Sequence, residues 1–71
     1  MTIKIKDFKT NIECSTKVEA RNILSNDFRG KDVSILIKRD SGCDKLVFIT
    51  VNLNGEIYET YTGNIINIFS I

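Results

Sequence analysis

The 71-residue chain contains no histidine, no proline and no tryptophan, and only two cysteines. Without histidine it has no side chain that ordinarily titrates near neutral pH. Ser-His and Cys-His nucleophilic pairs therefore cannot be assembled, and the commonest metal ligand is missing. A non-catalytic role is expected. No uncharged apolar run approaches membrane-spanning length, and Met1-Thr2-Ile3-Lys4-Ile5-Lys6 has no apolar stretch of signal-peptide length. These absences predict a cytosolic protein whose Cys14 and Cys43 stay reduced. A dominant charge is missing too. A formal charge of +1, with 27% charged and 42% hydrophobic residues, describes an ordinary globular chain and neither a disordered nor a bulk-basic one. The length predicts a single domain over residues 1–71, near the size where one core barely outweighs chain entropy. A metal, a dimer contact or a bound partner would add stability.

The strongest positive signal lies between Val33 and Tyr61. Val33-Ser34-Ile35-Leu36-Ile37-Lys38, Leu46-Val47-Phe48-Ile49-Thr50-Val51 and Ile57-Tyr58-Glu59-Thr60-Tyr61 are β-branched and aromatic runs, separated by turns at Gly42 and Gly55. They predict a three-stranded antiparallel meander. At the second turn, a three-residue loop with Gly55 in a bulge pairs Val51 with Ile57 and Val47 with Tyr61. That register gathers Val47, Ile49, Val51, Ile57 and Tyr61 on one face, and the alternative two-residue turn mixes apolar and polar residues on both.

Ile3 and Ile5 alternate with Thr2, Lys4 and Lys6, which predicts a short first strand whose lysines suit a sheet edge. Residues 9–15 read as loop, with Ile12 as the one anchor. Thr16-Lys17-Val18-Glu19 is a capping box that opens a helix over 17–29, and Ala20, Ile23, Leu24 and Phe28 form its apolar stripe. Val18 points away from the stripe. Gly30 supplies the stop, and Arg29 suits the negative end of the helix dipole. Residues 64–71, rich in isoleucine, read as a last strand. The expected architecture is α+β, a small antiparallel sheet of three to five strands with one helix on one face, in the order β-α-β-β-β with the tail as a further strand.

One helix covers one face, so Leu36, Leu46, Phe48, Thr50, Tyr58 and Thr60 on the other face are expected either to meet a partner or to lie under a folded-over segment. Candidate contacts are Leu46, Phe48, Tyr58 and Val18, with Arg21, Lys31 and Arg39 steering the encounter. A homodimer is a further way to cover that face. All ten Lys and Arg fall in residues 1–45, which are net +3, and residues 46–71 are net −2. The basic half allows contact with a phosphate backbone, although interspersed acids favour solvated edges. The one candidate metal set is Glu13, Cys14, Cys43 and Asp44, two thiolates and two carboxylates that zinc accepts in a tetrahedral shell. Neither cysteine belongs to a C-x-x-C pair. The turn acids Asp40, Asp44, Glu56 and Glu59 are expected to bond backbone and are assigned no catalysis.

Twelve isoleucines and seven asparagines in so short a chain are the residue usage of an AT-rich coding sequence. In size, in this Ile/Asn/Lys-rich composition and in lacking a catalytic kit, the chain resembles the small phage-encoded inhibitors of bacterial defence. These include anti-CRISPR proteins that bind a CRISPR effector nuclease. The nearest thing to a shared motif is the meander around Asp40-Ser41-Gly42 and Asn54-Gly55, and no functional residue is carried over from it. The resemblance implies a stoichiometric inhibitor that blocks guide-RNA or target-DNA loading, or a conformational step. The alternative is a small nucleic-acid-binding accessory protein that uses the basic N-terminal half.

Overall fold

The computed structural model describes all residues, 1–71. The elements in chain order are β1 (Thr2–Lys6), β2 (Asn11–Cys14), α1 (Lys17–Asp27), β3 (Lys31–Lys38), β4 (Lys45–Val51), β5 (Ile57–Glu59) and a 3-10 turn, Ile68–Ser70. The five strands form one sheet in the order β2-β1-β3-β4-β5, with every neighbouring pair antiparallel. The fold is thus α+β with one helix, as the sequence predicts. No helix is long and apolar enough to cross a membrane.

Two strand assignments differ from expectation. Residues 11–14 are not loop but the edge strand β2, in which Ile5 pairs with Ile12 and Ile3 with Cys14. A second anchor explains this: Cys14 is a small hydrophobe two residues beyond Ile12 and is buried on the core face. The lysine-bearing β1 is therefore interior rather than an edge. The tail, in turn, makes only one bridge, Tyr58 to Ile65, before leaving the sheet. Asn67 then redirects the chain, its side-chain oxygen accepting the Phe69 N–H at 3.0 Å and capping the 3-10 turn. The fifth strand therefore comes from β2.

The hairpin register is the expected one, Val51 opposite Ile57. The loop is held by the Asn52 N–H donating to the Glu56 carbonyl at 2.9 Å and the Gly55 N–H donating to the Asn52 carbonyl at 3.0 Å. Gly55 sits at φ +84°, where a side chain is strained. The ladder stops at Glu59, so Val47 never meets Tyr61. The Gly63 N–H bonds back to the Glu59 carbonyl at 2.8 Å, and that turn swings Tyr61 out of the core to 80% exposure.

Helix α1 starts at Thr16, whose hydroxyl accepts the Glu19 N–H at 3.2 Å while the Glu19 carboxylate accepts the Ser15 N–H at 3.2 Å. It ends two residues earlier than expected: Phe28 has left helical geometry and its N–H donates to the Leu24 carbonyl. Arg29 caps the end through Nε on the Ser25 carbonyl at 2.8 Å, and Gly30 takes φ +74°. Ala20, Leu24 and Phe28 are buried against Ile3, Ile5, Ile35, Ile37, Ile49 and Val51, and Ile68 closes the cluster. No polar or charged residue lies among the buried ones.

Candidate functional site

Side chains alternate across a strand, so the register that buries Ile3, Ile35 and Ile49 under the helix sends their neighbours to the opposite face. There Lys4, Leu36 and Leu46 lie side by side in one row, and Lys6, Ser34 and Phe48 in the next. Asp32, Thr50, Tyr58 and Ile65 make a third. No segment folds over this face. Leu46 is 55% and Phe48 44% exposed, and Leu36 and Tyr58 are half-buried. The face is divided: β3 to β5 carry the apolar and aromatic groups, whereas β1 and the end of β3 carry Lys4, Lys6 and Lys38. No lysine or arginine is paired with an aspartate or glutamate side chain. The one ion pair joins the Met1 ammonium to Asp40 at 3.1 Å.

At the end of this face nearest the β1–β2 turn is an open groove of about 560 Å³. Phe48 and Tyr61 meet there edge to face, with ring centroids 5.8 Å apart and planes at 79°. Fully exposed Phe8 stands at the rim. The Thr60 hydroxyl in the groove and the Thr50 hydroxyl next to it have a fixed direction. A carboxylate only accepts, so at 2.7 Å Thr50 Oγ1 donates to Asp32 Oδ1. Having spent its one proton, Thr50 must accept from Thr60 Oγ1 at 3.0 Å. Asp7, on the opposite wall, turns the β1–β2 hairpin: its Oδ1 accepts the N–H groups of Lys9 at 2.9 Å and Thr10 at 2.7 Å. The Lys9 N–H foremost, then that of Thr10, holds the Asp7 carboxyl below its ordinary value.

No family model, curated protein or solved structure matches the chain. Of the seven candidate contacts, the structure brings Leu46, Phe48 and Tyr58 together on the open face. Val18 and Arg21 are on the helix, beyond the other face of the sheet, where the Arg21 guanidinium lies 5.9 Å from the Phe69 ring centre. Lys31 is also on the helix side, with Nζ 5.9 Å from the Phe28 ring centre. Arg39 is exposed beside the β3–β4 turn. One flat partner cannot touch all seven.

The candidate metal ligands are scattered. Glu13 and Cys14 are consecutive in an extended strand and point to opposite faces, with Glu13 exposed and Cys14 buried. Burial raises the Cys14 thiol above its ordinary value, with the Glu19 charge adding to it. Cys43 and Asp44 are exposed in the β3–β4 turn, and no three Cys, Asp or Glu side chains gather as a ligand set. Thr60 lies on the face where the sequence puts it, but the groove residues Phe8, Asp32 and Tyr61 are not among the expected contacts. Tyr61 was hidden by extending β5 two residues too far, and Phe8 by its place just past a strand end. Asp32 carried a signal in its period-two offset from Ser34 and Leu36.

Proposed function

We propose that the chain is a non-catalytic, cytosolic binding protein that occupies a surface of a larger protein through its open sheet face. The observation that carries this is the uncovered group of Leu36, Leu46, Phe48 and Tyr58, opposite a helix that shields only the other side. Aromatic and aliphatic anchors at the middle with a polar rim are the usual anatomy of a protein interface, and Lys4, Lys6 and Lys38 lie beside the anchors to steer approach. A stoichiometric inhibitor of a CRISPR effector nuclease, which the compositional resemblance implies, works in this way, by blocking a surface without turnover.

One observation favours the nucleic-acid alternative: the face combines exposed aromatics with lysines that no carboxylate neutralises. Single strands bind by stacking on such rings beside basic side chains. Against it, Glu13 and Asp32 share the face, so its net charge is small.

A photoreactive phenylalanine analogue at position 48 or 58, against one at position 18, separates these readings in host cells. Protein adducts from 48 and 58, removed by Leu46→Glu, are the expected result. Adducts to nucleic acid, or adducts from position 18 alone, contradict the proposal.

A further inference from the structure

The groove beside Phe48 offers acceptors far more than donors. The Thr60 proton is committed to Thr50 and the Thr50 proton to Asp32, so the floor presents only lone pairs: those of Thr60 Oγ1 and of the Asp32 carboxylate. Asp7 Oδ1 is occupied by two backbone N–H groups, but no bond engages its second oxygen. Ser34 Oγ is turned to the Lys6 carbonyl at 3.4 Å. The charged donor in the wall is the Lys6 ammonium, which is exposed and free to swing outward. Above this floor stand the rings of Phe8, Phe48 and Tyr61. A ligand that suits such a place is flat, cationic and rich in N–H groups. A ring face attracts cations, a carboxylate accepts a planar pair of N–H donors, and a volume of this size takes one long side chain with room to spare.

We infer that the groove receives an arginine side chain of the protein partner, its guanidinium stacked on the aromatic rings and bonded to Asp32 and Thr60. The inference rests on the protein-docking reading above and adds the chemistry of one anchor. Arginine fits better than lysine here, because its planar fork both stacks and bonds two acceptors at once. A partner presenting an exposed arginine on a flat or convex surface places it at the end of the face, with its apolar neighbours over Leu46 and Leu36.

The test is an amide-resonance titration of the full chain with N-acetyl-arginine amide, in parallel with the lysine and norleucine amides and with adenosine monophosphate. The expected result is that arginine amide moves the resonances of Phe8, Asp32, Phe48, Thr60 and Tyr61 at lower concentration than the other three. Asp32→Asn should weaken the response about tenfold, as loss of a charge-assisted bond implies, with the Ile35 and Ile49 resonances unmoved as proof of folding. Phe48→Leu, which keeps the bulk and removes the ring, should weaken it as well. An equal response to norleucine amide, a stronger one to adenosine monophosphate, or none to arginine amide overturns the assignment. Unmoved groove resonances alongside a protein crosslinked at position 48 overturn the arginine anchor alone. No protein adduct from 48 or 58 overturns the docking reading beneath it.

Discussion

Gly55 shows how much one residue can decide. It lies at φ +84°, and a Cβ built there would stand 2.9 Å from the Ser25 carbonyl oxygen, a backbone atom of the helix that cannot swing away. The Ser25 hydroxyl also donates to the Gly55 carbonyl at 2.9 Å, so the β4–β5 loop is fastened directly to α1. Gly55→Ala combines left-handed strain with a backbone clash and should destabilise the chain by about 2–3 kcal/mol, read as a lowered denaturation midpoint. The two cysteines should likewise behave differently. Cys43 is exposed, whereas Cys14 is buried with its thiol held protonated, so an alkylating reagent should label one thiol of the native chain and the second only on unfolding. Asp7 sets a pH limit. Its folded pKa lies below the ordinary 3.8 because backbone N–H groups bind the carboxylate. The stabilisation is therefore complete above that value and is lost as pH falls through the lower folded one. Protection of the Lys9 and Thr10 amides, measured as hydrogen exchange relative to the intrinsic rate at each pH, should fall in that acid window, and Asp7→Ala should remove it at neutral pH.

Among the elements, helix α1 was the most legible. Its capping box, its stripe of Ala20, Leu24 and Phe28 and its glycine stop are local chemistry, and local chemistry is what a sequence states directly. Thr16→Ala removes the Glu19 N–H acceptor and should cost about 1 kcal/mol in chemical denaturation. The β4–β5 register was readable for a different reason, since one loop length alone buries Val51 and Ile57 together. Strand β2 was not readable because it has four residues and only two core contacts, one of them a cysteine, so its propensity is weak and its pairing with β1 is supplied by tertiary packing. The tail misled in the opposite direction. Its isoleucines are strand formers, yet Ile66 and Ile68 find the core from a bridge and a 3-10 turn once Asn67 caps the latter. The groove was illegible because it depends on where β5 ends, and that is set by the turn at Gly63.

At the scale of the molecule, the chain is a sheet with one dressed side and one bare side. Fourteen residues form the buried cluster and all of them belong to the helix-facing layer, so the open face contributes little to folding and is free to evolve for contact. The division was legible from the alternation in β3 and β4, but the lysine strand β1 in its interior was not. This asymmetry is the foundation of the proposed docking role, and paired threonine substitutions on β4 test it most directly, because threonine keeps strand preference while removing the apolar group. In chemical denaturation, Phe48→Thr should cost under about 1.5 kcal/mol, the scale of one aromatic edge contact, and Ile49→Thr about 3 kcal/mol or more. Equal losses of several kcal/mol at both positions would mean that Phe48 is core, and would contradict the account.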